Sequence, residues 1–172
     1  MGLTLVEKHR PYQFDQMIGL DWIITILKRL IDNNALQSMI FMGPPGCGKT
    51  TLGYVLASEY FGKKISLKAD YKEYTEINGS DNRGIDTVRG WIKRFSMSKT
   101  HTRNSKGELL KKIMIIDEFD NTTIDFQRAF RVVAEKAQSN CVFILIGNHI
   151  EGIKERALFS RCMTFIFGCF IY

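Results

Sequence analysis

Ser38-Met39-Ile40-Phe41-Met42-Gly43-Pro44-Pro45-Gly46-Cys47-Gly48-Lys49-Thr50 is the stretch that decides the fold. Its first part is a short apolar run suited to a buried strand. Its second part, from Gly43, fits the pattern G-x-x-x-x-G-K-[ST]. Thr51-Leu52-Gly53-Tyr54-Val55-Leu56-Ala57 follows with helical spacing. Strand, glycine loop and helix form the setting in which this pattern cradles a polyphosphate. Gly46 and Gly48 let the backbone turn through positive φ and approach the phosphates closely. Successive N–H groups then face one anion-binding hollow, to which the helix N-terminus near Lys49 adds its dipole. Lys49 can reach the β- and γ-phosphates, and the Thr50 hydroxyl can hold Mg²⁺. The nucleotide-binding segment expected here is Gly43, Pro44, Pro45, Gly46, Cys47, Gly48, Lys49, Thr50 and Thr51. The plainer alternative, a chance match in a Gly-rich turn, accounts for neither the strand before it nor the helix after it.

The chain has 172 residues, enough for one domain, and 45% of them are hydrophobic, enough for a sizeable core. No run of 18 apolar residues exists, so no membrane partner is expected. Glu7, Lys8, His9 and Arg10 come early, with no apolar signal region behind them. Cys47, Cys141, Cys162 and Cys169 make no CxxC pair and read as reduced thiols of an intracellular enzyme. The net charge of +6 is compatible with a nucleic-acid partner without establishing one. Residues 93–112 carry Lys93, Arg94, Lys99, Arg103, Lys106, Lys111 and Lys112 against a lone acid, Glu108. A solvated loop is the plain reading of residues 98–107.

In chain order, residues 1–19 form an irregular lead-in with Phe14, Met17 and Ile18 as apolar anchors. A helix is predicted over 21–33, with Ile23, Ile24, Leu27, Leu30 and Ile31 on one stripe. Strands are predicted at 39–42, 74–78, 113–116, 141–146 and 162–167. Helices are predicted from the glycine loop to about residue 60, over 85–96, from Thr122 or Thr123 to about residue 138, and over 153–159. Val88, Trp91, Ile92 and Phe95 mark the apolar face of the helix at 85–96. Phe126, Ala129, Phe130 and Val133 mark that of the helix near 130. The basic segment 98–110 reads as mobile. Strands alternating with helices argue for a parallel sheet covered on both faces, with ligands beyond the carboxyl ends of its strands.

Three further groups end strands or precede one. Asp117-Glu118-Phe119-Asp120 follows four apolar residues, as the second NTPase motif requires. Asp117 is placed to hold Mg²⁺ through its hydration shell, and Glu118 to orient water against the γ-phosphate. An acidic turn before a helix is the bland alternative. Asn148 ends the fourth strand, where its amide could contact the γ-phosphate or the attacking water; it could also be an ordinary turn residue. Ser160-Arg161-Cys162 precedes the last strand, and Arg161 could reach a neighbouring subunit's nucleotide or stand merely exposed in a loop.

Together these motifs resemble the AAA+ ATPases, and more narrowly the sliding-clamp-loader subunits: replication factor C small subunits and the T4-like phage clamp loaders. Val6-Glu7-Lys8-His9-Arg10-Pro11 with Phe14-Asp15-Gln16-Met17-Ile18-Gly19 is similar to the family's opening box. Ile77-Asn78-Gly79-Ser80-Asp81-Asn82-Arg83-Gly84-Ile85-Asp86-Thr87-Val88-Arg89 is similar to its N-A-S-D-x-R-G-I-D-x-V-R box. Ser160-Arg161-Cys162 matches its S-R-C motif, and Phe119 is the phage-like choice where eukaryotic members tend to have Ala.

The resemblance implies a P-loop NTPase three-layer sandwich with a five-stranded parallel sheet, ATP and Mg²⁺ as cofactors, and ATP hydrolysis within a multi-subunit ring or spiral. Residues 1–19 would be the adenine-side lead-in, 20–168 the nucleotide-binding domain and 169–172 a tail. Val6, Arg10, Pro11, Ile18 and Gly19 would border the adenine. Lys49, Thr50, Asp117, Glu118 and Asn148 would act in the subunit's own site, and Arg161 on its neighbour's ATP. Arg83 and Arg89 would meet the DNA backbone or link DNA to Glu118, unless they form surface salt bridges. Gln127, Arg128 and Arg131 would lie near a central DNA channel. The implied partners are other clamp-loader subunits, the sliding clamp and primer–template DNA, in the cytoplasm (the host's for a phage protein) or in a eukaryotic nucleus. The chain departs from the family at His9, which replaces Tyr, and at residues 154–159, which lack Pro-Leu-Gln. It also lacks the lid and collar after Gly168, as expected for a truncated product or a split subunit. A lidless scaffold that does not hydrolyse ATP, or a helicase loader, are the alternative functions.

Overall fold

A computed structural model describes residues 10–65, 72–81, 86 and 88–168, with Arg89 as backbone alone. Val6, Arg83, the Arg89 side chain and Cys169 therefore lie outside the described residues. The strands are β1 (Met39–Met42), β2 (Tyr74–Asn78), β3 (Lys112–Asp117), β4 (Cys141–Gly147) and β5 (Met163–Ile166). They form one sheet in the order β2-β3-β4-β1-β5, every pair parallel. The helices are α1 (Asp21–Asp32), α2 (Lys49–Phe61), α3 (Lys93–Met97), entered through a π-helical turn at Val88–Ile92, and α4 (Ile124–Ala137).

The period of two along each strand divides the interior into two cores. Met39, Phe41, Ile113, Ile115, Val142, Ile144 and Ile146 face α1, α2 and Phe14. Ile40, Met42, Met114, Ile116, Cys141, Phe143 and Leu145 face α3, α4 and the π-helical turn. Every β4 residue is buried, as expected of a strand covered on both sides. On α4 the stripe Phe126, Phe130, Val133 and Ala137 is buried, and Phe130 meets Phe119 and Phe143 edge-on. The Thr123 hydroxyl caps that helix by accepting from the Phe126 N–H at 3.2 Å.

Three expectations are corrected. Ile18 is 90% exposed, so of the three expected apolar anchors Phe14 and Met17 are the ones that pack against the core. The segment 98–110 folds back on itself instead of standing loose. Arg103 and Leu109 form an antiparallel bridge, the Asn104 side chain accepts from the N–H groups of Lys106 and Glu108, and Lys106 Nζ reaches the Asp32 carbonyl at 2.8 Å. Short polar side chains bonding to nearby backbone close the turn without a hydrophobic core. The helix expected over 153–159 is replaced by two 3₁₀ turns, Ile150–Gly152 and Arg156–Leu158. The N–H groups of Lys154 and Glu155 donate to the Gln127 side chain, which ties the segment between the two turns to α4.

Candidate nucleotide site

The register places Met42 beside Gly147 and Asn78 beside Asp117. The segments after β1, β3 and β4 therefore open on one edge of the sheet, where the strand order reverses around β1. Gly46 and Gly48 both have φ +83°, the left-handed conformation that the loop requires. Among the described residues, no protein group accepts from the N–H groups of Gly46, Gly48, Lys49, Thr50 or Thr51. Those donors, at the start of a thirteen-residue helix, make a cradle suited to an anion. Met17 of the lead-in and Leu20, just before α1, pack at 3.5 and 4.0 Å from the place a Gly48 Cβ would take.

Lys49 is buried. Its ammonium donates to the carbonyls of Gly43 and Pro44, each at 2.7 Å, and to Asn148 Oδ1 at 3.0 Å. A lysine held this way stands over the loop and can exchange carbonyl oxygens for phosphate oxygens. Thr50 Oγ1 donates to Asp117 Oδ2 at 2.8 Å, and the Glu118 N–H donates to Asp117 Oδ1 at 2.8 Å. A hydroxyl and a carboxylate oxygen this close fit a hard divalent ion, one directly and the other through bound water. Glu118 adopts φ 51°, a left-handed turn that carries the chain sharply out of β3. Its carboxylate accepts from Asn121 Nδ2 at 3.3 Å.

Sequence reasoning gave no role to the contacts behind the site. The Arg10 guanidinium lies 4.9 Å from the Tyr54 ring centre, and the Tyr54 hydroxyl donates to Glu76. Burial above all, then the hydrogen bond to Glu76, pushes the Tyr54 phenol well above its usual range. The lead-in is thereby tied to α2 and β2. A charged residue at the centre of a strand was the signal for Glu76.

Arg161 is not brought to this site. It lies before β5, whose first residue, Met163, pairs with Met39 at the opposite edge of the sheet from Gly43. Its Nε meets Glu135 at 2.6 Å, and its Nη1 donates to the Ala157 carbonyl at 2.8 Å. Arg131 pairs with Glu135 at 3.0 Å and Glu155 at 3.7 Å, whereas Arg128 is exposed. Gln127, expected near DNA, is fully buried. Its Nε2 donates to Gly152 O at 2.8 Å and Thr122 Oγ1 at 3.2 Å, and its Oε1 accepts from Lys154 and Glu155. A side chain so enclosed cannot meet DNA.

The sequence profile of the "ATPase family associated with various cellular activities (AAA)" matches residues 39–169. The chain belongs to this family. It is 36% identical to the replication factor C small subunit of Staphylothermus marinus over 167 residues, 96% of this chain and 47% of that protein. Replication factor C subunit 3 of Saccharomyces cerevisiae is 39% identical over 166 residues, 96% of this chain and 46% of its own. This AAA chain thus spans about half the length of the relatives it matches. Among solved structures, the Holliday junction branch migration motor RuvB of Thermotoga maritima has the same fold at a TM-score of 0.62. It shares 18% identity and covers 93% of this chain and 48% of its own. The family binds nucleotide through the loop described above, and no helix among the described residues is long and apolar enough to cross a membrane.

Proposed function

We propose that this chain is the ATP-binding and ATP-hydrolysing module of a sliding-clamp loader, acting with other loader subunits on a clamp and primer–template DNA. The observation that carries the reading is the meeting of Lys49, the Thr50–Asp117 pair, Glu118 and Asn148 at one sheet edge. It occurs in a chain similar over 96% of its length to replication factor C subunits. Lys49 and the loop N–H groups hold the phosphates. Thr50 and Asp117 hold Mg²⁺, which when bound neutralises phosphate charge. Glu118 orients and polarises the attacking water, and Asn148 fixes the γ-phosphate side of the site. Arg10, Pro11, Ile18 and Gly19 border the adenine.

Arg161 acts on a neighbouring subunit's nucleotide, because a whole strand separates it from its own loop. It must leave Glu135, or carry Glu135 with it, to do so. Arg128 is the α4 candidate for DNA phosphates, and such contacts weaken with salt. In the assembled loader, Glu118→Gln should keep ATP affinity and lower DNA-stimulated turnover by about 10²–10⁴-fold. Normal turnover by that variant would remove Glu118 from the chemistry.

A further inference from the structure

The last residue of the acidic motif, Asp120, has no part in the roles above, yet it is one of few charged side chains in the interior, 8% exposed. It stands in the 3₁₀ turn Phe119–Asn121, directly after the left-handed Glu118. Its Oδ2 accepts from two consecutive main-chain N–H groups, those of Asn148 and His149, each at 3.0 Å. The segment that it grips leaves β4 at Gly147 and turns through Ile150–Gly152. Both ends of that segment press on Asp120. A Cβ on Gly147 would come within 3.0 Å of Asp120 Oδ1, and a Cβ on Gly152 within 2.5 Å of its Cβ and carbonyl oxygen.

A carboxylate accepting two N–H bonds in a buried place fixes a main chain more firmly than a neutral acceptor does. What it fixes here is the residue whose amide oxygen meets Lys49 Nζ at 3.0 Å. We propose that Asp120 is a positioning residue: its carboxylate sets the main chain at Asn148, and so the place of the Asn148 amide beside Lys49, at a fixed spacing from Glu118. The inference rests on the ATPase reading of the site. It adds a strut between the tips of β3 and β4, which carry the two groups facing the γ-phosphate.

The test is a pair of variants, Asp120→Ala and Asp120→Asn, in the ATPase-competent assembly, each made also with Asn148→Ala. Misplacement of a positioned group can cost up to about 10²-fold in rate. Accordingly, kcat should fall about thirtyfold in Asp120→Ala and about fivefold in Asp120→Asn, with the ATP KM within about twofold. In the Asn148→Ala background neither change should lower kcat further. Amide hydrogen exchange at Asn148 and His149 should quicken in Asp120→Asn, while the β4 amides stay protected. If Asp120→Ala does not fold, Asp120→Asn decides alone, since it keeps the shape. Full kcat with unchanged exchange in Asp120→Asn overturns the role, as does an equal loss with and without Asn148. A wild-type assembly that does not hydrolyse ATP overturns the ATPase reading and this role with it. Turnover that depends on Glu118 but not on Asp120 overturns this role only.

Discussion

Replacing Gln127 by Leu separates a buried strut from a DNA contact. Leucine keeps most of the side-chain volume and removes the amide. The Gly152 carbonyl and the N–H groups of Lys154 and Glu155 then lose partners held at 2.8, 2.8 and 3.1 Å. Thr122 Oγ1 keeps its own bond to the Phe119 carbonyl, at 2.6 Å. Each orphaned main-chain group costs about 1–3 kcal/mol when buried. The three are partly reached by water, so the low end applies, and the sum is about 3 kcal/mol. In a domain of this size, about 3 kcal/mol corresponds to a fall in Tm of roughly 6–12 °C. Equilibrium urea unfolding should show the midpoint fall with an unchanged slope. DNA affinity of the folded variant should match that of the unaltered protein. A stability loss below about 0.5 kcal/mol, together with weaker DNA binding, would refute the reasoning, because both follow from a side chain on the surface.

Other perturbations read other parts of the structure. Phe130→Ala empties the junction of three aromatic rings and should cost about 3–5 kcal/mol, whereas exposed Arg128→Ala should cost under about 0.5 kcal/mol in the same unfolding assay. Thr50→Ala removes the hydroxyl that meets Asp117. Titration with a fluorescent ATP analogue should then lose most of its gain from Mg²⁺, while metal-free affinity stays as it was. Burial pushes the Cys162 thiol up to about 11, with Arg161 opposing the shift. At pH 8 about one Cys162 in a thousand would be thiolate, against about a quarter of an ordinary thiol, so its alkylation should be slow and rise about tenfold per pH unit. Because the folded value is raised, its contribution to stability is complete below the ordinary thiol range and is lost as pH climbs toward about 11. Alkylation at the rate of a free thiol would contradict that burial.

The glycine loop, the five strands and the stripes of α1 and α4 were legible because each depends on spacing along the chain. A period of two marks strands, a period of 3.6 marks helices, and Gly46 and Gly48 mark a turn that few other residues accept. The convergence of Lys49, Asp117 and Asn148 also followed, since parallel strands bring their carboxyl ends to one edge whatever the side chains are. Gln127 gave a faint signal of its own, standing three residues before Phe130 on the buried face of its helix. The resemblance to clamp loaders sets it with Arg128 and Arg131 near a DNA channel, a place that its burial excludes.

The sequence by itself determined the layered α/β fold and which strand tips carry the phosphate-facing groups. Only the tertiary structure decided what a polar side chain meets. Gln127 and Asp120 hold main-chain groups of the segment 147–155, and Arg161 rests on Glu135. Spacing fixes the face on which a residue lies. The partner across that face comes from elsewhere in the chain, and for a buried amide or carboxylate it is the partner, more than the face, that sets the role.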